Sequence, residues 1–211
     1  MKASESCKIQ VSTLKPLAYF LVEKIFQANR RSHMEETRNP ADTKEPGIKR
    51  EEILFLPDDN FNGNNVCVVS GAGTGIGRAT AIAAAANNLM TVGLDINEAE
   101  GNITQKMARE MGGQMIFIKT DLTRDDEIET AIREAAKLGS IKYLANIAGI
   151  QHIDSVDNFP MEKYDQMQTL MLRAPYYLSK LSIAHIKKSS DGIGVIGHMA
   201  SAHAHICTKN K

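Results

Sequence analysis

A doubly wound, parallel α/β sheet is the fold class this sequence predicts, and three observations predict it. From Asn65 onward, short β-branched runs alternate with stretches of helical periodicity. The first run passes directly into a glycine-rich turn. The stretches between runs are long enough for helical crossovers, and strands joined that way pair in parallel with right-handed connections.

Each element has its own signal. "VCVVS" reads as the first strand, and a helix is expected from Gly75 to about Asn88. "MTVGLD" is the second strand, followed by a helix with Ile103, Met107 and Met111 on one face, ended by Gly112. "MIFIKT" is the third strand. Thr123 with Asp126 three residues on predicts a capping box, ahead of a stripe of Ile128, Ala131, Ile132 and Ala135. "YLANIAG" is the fourth strand; a long helical stretch from about Met161 follows, with Pro175 as a kink point. "GVIGHM" is the fifth.

Residues 1–60 read differently from 61–211. Leu14, Leu17, Leu21 and Ile25 recur at helical spacing, with Pro16 tolerable in a first turn. The charged "RRSHMEETRNPADTKEPGIKREE" lacks apolar periodicity and reads as a linker. The helix is either a docking or oligomerisation element or one laid against its own domain; the sequence leaves both open.

Composition narrows the function classes. Lys plus Arg number 25 and Asp plus Glu 25, so the formal net charge is zero. That balance offers no electrostatic footprint for nucleic acid or an anionic membrane. "PLAYFLVEKIF" is too short to span a bilayer and is interrupted by Glu23 and Lys24; the start "MKASESCKIQ" has no apolar signal core. The three cysteines are widely spaced, and Cys67 lies in an apolar run as a small buried hydrophobe. This is a reducing-compartment pattern and predicts a cytoplasmic protein.

Chemistry concentrates at "VVSGAGTGIGRA", where the first strand becomes a helix. Gly71, Gly75 and Gly77 permit a tight turn, close approach of backbone amides and close helix packing, so a pyrophosphate would sit at the positive helix end. Asp95 ends the second strand near the spacing at which a carboxylate meets an adenosine ribose. It would accept hydrogen bonds from the 2′- and 3′-hydroxyls of NAD and repel the 2′-phosphate of NADP. The alternative for Asp95 is an acid at a helix N-terminus.

Together these motifs resemble the short-chain dehydrogenases/reductases over about residues 64–211. The glycine turn is similar to that family's Thr-Gly-x-x-x-Gly-x-Gly, with Ser70 in place of threonine. "NIAG", Asn146 to Gly149, resembles Asn-Asn-Ala-Gly with Ile147 for the second asparagine, and Asp121 in "TDLT" falls where the family places an aspartate beside the adenine. The resemblance implies a Rossmann sheet holding NAD through Gly71, Thr74, Gly75, Ile76, Gly77, Asp95, Ile96, Asp121, Leu122, Asn146, Ala148 and Gly149.

The resemblance also implies a tyrosine base, a lysine four residues later, a serine and an asparagine. Ser201 in "GHMASAH" matches the serine, and Met171 stands at the asparagine position. The tyrosine and lysine would come about a dozen residues after Ser201, beyond Lys211, so the fold is expected to be C-terminally incomplete; all five tyrosines precede Ser201. Within the family, "AGIQH" and "ASAHAHICTKNK" resemble D-3-hydroxybutyrate dehydrogenases. That likeness implies Gln151, His203 and Lys211 as carboxylate-holding residues and a small hydroxy-acid or ketone substrate. A full-length form is expected to be a homo-oligomer.

His203, His205 and Cys207 alternate, but no second cluster accompanies them, so no metal is expected. His152 and His198 read as packing or loop residues. A non-catalytic dinucleotide-binding module with a docking helix is the competing class.

Overall fold

The structure, a computed structural model, describes residues 47–201. Five strands, β1 Asn65–Ser70, β2 Met90–Asp95, β3 Gln114–Lys119, β4 Ser140–Asn146 and β5 Val195–His198, form one sheet in the order β3-β2-β1-β4-β5. Every pairing is parallel, and β1 runs at the centre with Val68 beside Val92 on one side and Leu144 on the other. All six residues of β1 are buried, which explains its unbroken apolar run: a central parallel strand has no solvent face.

Side chains alternate across the sheet and build two cores. Val66, Val68, Val92 and Leu94 meet one layer of helices, α3 Asp125–Ala136 and α5 Ala174–Ile186. Cys67 and Val69 meet the other, α1 Gly75–Ala86 and α2 Glu98–Glu110. Each fully buried Val, Leu or Ile contributes about 1.5–3 kcal/mol, so both layers draw on β1. The stripe Ile128, Ala131, Ile132 and Ala135 of α3 is buried as its spacing predicts.

Four local expectations are corrected. On α2 the inward residues are Gly101, Thr104 and Ala108, with Met107 and Met111 packed beside them, while Ile103 is exposed. The face must be small: a Cβ on Gly101 would lie 2.0 Å from the Phe117 ring of β3. Thr123 does not cap α3. Its hydroxyl and amide bond Asp121 instead, Arg124 takes the cap position without a side-chain bond, and Glu127 accepts the Asp121 N–H at 2.7 Å. Helix α1 ends two residues early, because Asn88 turns left-handed at φ 73°. The expected kink at Pro175 is a π turn. Helix α4 Met161–Gln168 passes through Thr169–Arg173 into α5, widening the turn just before a residue that has no N–H to give.

Helix α2 does stop at Gly112. The Gly113 N–H reaches Ala108 O and the Gly112 N–H reaches Arg109 O, both at 2.9 Å, a Schellman ending that requires φ +81° at Gly112.

The compact unit holding the sheet begins at Gly47. Residues 47–61, at the end of the charged stretch, pack Ile48, Ile53 and Phe61 on the Cys67 core. Asn87 fixes this segment: its Oδ1 accepts the Leu56 N–H and its Nδ2 donates to Leu54 O, each at 2.9 Å. The apolar residues there are too widely spaced to register as a period. The amphipathic stretch from Leu14 to Ile25 lies outside the described residues.

Candidate functional site: a cleft at the carboxyl edge of the sheet

The strand order reverses direction at β1: β2 and β3 lie on one side, β4 and β5 on the other. Beyond the strand ends the chain runs from β1 to α1 on one face of the sheet and from β4 to α5 on the other, and a crevice opens between them, the place where open α/β sheets bind ligands. Ser70, the last residue of β1, closes the base of this crevice. Its Oγ accepts the N–H groups of Ile147 at 2.9 Å and Ala148 at 3.2 Å, tying the two loops together.

The glycines of the turn have distinct duties. Gly71 sits at φ +72°, and a Cβ there would lie 2.7 Å from Ala148 Cα, so the β1 and β4 loops meet backbone to backbone. A Cβ on Gly77 would lie 1.8 Å from the Gly71 carbonyl oxygen, which fixes α1 close against the turn. Gly75 is at φ +56° with nothing within 4 Å of its Cβ direction. Thr74, Gly75 and Ile76 are exposed there, at the first turn of α1, where a helix carries N–H groups without intrahelical acceptors. Open space, outward residues and a positive helix end make a cradle for an anion.

Asp95 stands across from that cradle. Its Oδ2 accepts the Gly73 N–H and its Oδ1 the Asn97 N–H, both at 2.9 Å. The cap of α2 is Asn97, whose side chain accepts the Glu100 N–H at 3.2 Å, so Asp95 is not serving as the helix-capping acid. A carboxylate offers about four acceptor positions. Two are taken by backbone, which leaves capacity for a pair of hydroxyls. Ile96 beside it is exposed.

Other sequence-predicted residues gather on the same edge. Asn146 is buried: its carbonyl accepts the Met199 N–H at 2.8 Å, its Nδ2 lies 3.4 Å from His198 Nδ1, and its Oδ1 has no partner among the described residues. Gly149 faces the π turn, with Met171 Sδ 3.3 Å from the position of a Cβ. Asp121 has Oδ1 committed to Thr123, and the Leu122 side chain is buried in the core, so only its backbone faces outward chemistry. Gln151 is exposed beyond β4, and Ser201 is exposed three residues after β5. His203 and Lys211 lie outside the described residues, as do His205 and Cys207. His152 stacks edge-on against Phe159.

A family model described as short chain dehydrogenase matches residues 65–208, the whole span of this sheet and cleft. The chain belongs to the short-chain dehydrogenase family. An uncharacterized oxidoreductase of Thermotoga maritima is 31% identical over 140 residues, covering 66% of this chain and 54% of that protein. A D-beta-hydroxybutyrate dehydrogenase of Rhizobium meliloti is 28% identical over 147 residues, covering 68% and 56%. The crystal structure of a hydroxysteroid dehydrogenase from Escherichia coli superposes with a TM-score of 0.60 at 29% identity, covering 64% of this chain and 57% of that one. The chain spans about half the length of the curated relatives it matches.

As a short-chain dehydrogenase the molecule has site residues that spacing alone did not reveal. Gly73 is one: a Cβ there would sit 2.8 Å from the Asp95 carboxylate. Arg78 is another, buried on α1 and bonded to the Gly73 carbonyl, to Thr104 Oγ1 at 3.0 Å and to Glu100. The available signal was a lone arginine inside the otherwise small, apolar helix "GIGRATAIAAAA". Among the described residues no helix is long and apolar enough to cross a membrane, and no group of His, Cys, Asp or Glu could hold a metal ion.

Proposed function

We propose that the chain is the cofactor-binding part of an NAD-dependent oxidoreductase that acts on a short hydroxy acid such as 3-hydroxybutyrate, or on the corresponding ketone, in the cytoplasm. The observation that carries the cofactor choice is Asp95, held by two backbone N–H groups at the end of β2 opposite an open helix N-terminus. When bound, the dinucleotide would supply a hydride acceptor. Thr74, Gly75, Ile76 and Gly77 would hold its pyrophosphate, Asp95 and Ile96 its ribose, Asp121 and Leu122 the adenine. Asn146, Ala148 and Gly149 would line the far half of the crevice. Ser201 would donate a hydrogen bond to the reacting oxygen, and Gln151, His203 and Lys211 would hold the carboxylate.

Substrate class rests on the likeness of "AGIQH" and "ASAHAHICTKNK" to relatives named for D-beta-hydroxybutyrate. The proton acceptor for this oxidation would be the tyrosine that the family places after the serine, with a lysine four residues on, since the hydroxyl proton must leave as the hydride does. In a chain extended by a helix carrying tyrosine and lysine, Gln151→Ala and Lys211→Ala should raise KM for 3-hydroxybutyrate and spare uncharged alcohols.

Calorimetry tests the cofactor assignment. The chain should bind NAD more tightly than NADP; equal or tighter NADP binding overturns it. One observation favours a second reading, a binding module without catalysis: the Met171 thioether packs beside Gly149 where the family carries an asparagine amide. Turnover by the extended chain would exclude that reading.

A further inference from the structure

We propose that Arg78, Thr104 and Glu100 are positioning residues for cofactor selection, acting through Gly73 on the carboxylate of Asp95. This rests on the NAD reading above. Gly73 joins the turn to the ribose anchor, and as a glycine its backbone carries little restriction of its own. Here it is held from both sides. Its N–H donates to Asp95 Oδ2 at 2.9 Å, and its carbonyl accepts from the Arg78 guanidinium. The Thr104 hydroxyl accepts from Arg78 Nε at 3.0 Å and has two carbonyls in reach for its single proton, Gly73 at 3.2 Å and Glu100 at 3.1 Å.

The arginine is nearly buried, its side chain 10% exposed, and Glu100 balances its charge. A lysine would replace this poorly: its three donors radiate from one nitrogen, whereas the guanidinium reaches Thr104 from Nε and Gly73 and Glu100 from Nη2, two separate atoms of a rigid fork. The clamp therefore runs from α2 through α1 to the turn and ends on Asp95. Held so, the carboxylate keeps its remaining acceptor positions toward a ribose and its charge toward any 2′-phosphate. Released, it would lose the hydroxyl bonds and swing from the phosphate, so discrimination should fall from both directions.

The test uses Arg78→Lys, with Thr104→Val and Thr104→Ser as a milder pair, in the 211-residue chain. In the first two, the ratio of the NADP Kd to the NAD Kd should fall roughly three- to tenfold, the size of one ordinary hydrogen bond. Thr104→Ser should restore it. A purely structural role would weaken both dinucleotides alike and leave the ratio unchanged, which overturns the proposal. Hydrogen exchange at the Gly73 amide decides the clamp without any ligand: protection in the unsubstituted chain and faster exchange in Thr104→Val support it, and loop-like exchange in the unsubstituted chain overturns it. If neither dinucleotide binds the unsubstituted chain, the cofactor reading fails while the Gly73 amide still decides the clamp.

Discussion

The proposed cofactor choice turns on one side chain, Asp95. Replacing it by alanine should remove ribose hydrogen bonds worth about 1.5–3 kcal/mol to a charged acceptor, a tenfold or larger rise in the NAD Kd by calorimetry. Gly77→Ala acts on the fold instead. The new Cβ would be driven into the Gly71 carbonyl, and relief by shifting α1 should cost about 1–3 kcal/mol, read as a lower urea midpoint. Cys67 has a different signature. Burial pushes its thiol from 9.0 up to about 12, so at about pH 8 it should resist alkylation in the native chain and react once denatured, as peptide mass spectrometry would show. The tight turn at Gly71, the close packing at Gly77 and the place of Asp95 at the end of β2 were legible because they follow from spacing around one turn. The Gly73–Asp95 bond, the Arg78 bonds to Thr104 and Glu100 and the Ser70 tie to the β4 loop were not, since these partners lie 22 to 78 positions apart along the chain.

The elements differ in how firmly they are tied to the cleft. Strand β5 sits at the sheet edge, half-buried and then exposed, and a buried lysine anchors the loop leading to it. Lys142 on β4 donates to Asp191 at 2.5 Å, and that bond, with the Ile193 and Ser189 hydrogen bonds, lowers the Asp191 carboxyl from 3.8 to about 2. A lowered acid stabilises the fold above its unfolded value, so this contribution should be complete above about pH 4 and lost as pH falls toward 2. Asp191→Asn should flatten the acid limb of a pH-stability profile and speed hydrogen exchange in β5. An unchanged acid limb would remove the anchor from the account. Strands and most helices were readable because burial imposes their periods. The inner face of α2 was not, because Phe117 on another strand dictates small residues there and leaves Ile103 outside. The π turn was read only as a proline kink, since its geometry depends on how the upstream carbonyls are arranged where Pro175 has no N–H to donate.

At the scale of the whole molecule, alternation announced a parallel sheet, but the order β3-β2-β1-β4-β5 emerges only from pairing between distant strands. That order creates the crevice. With the exposed first turn of α1 and the Asp95 carboxylate on the same edge, the proposed dinucleotide would lie along the carboxyl ends of β1, β2 and β4. Hydrogen exchange by mass spectrometry, with and without NAD, tests this placement most directly. NAD should slow exchange in three segments, residues 71–77, 95–97 and 146–149, and leave the opposite edge of the sheet unaltered. Protection confined to other segments, or none in residues 71–77 at saturating NAD, would contradict it.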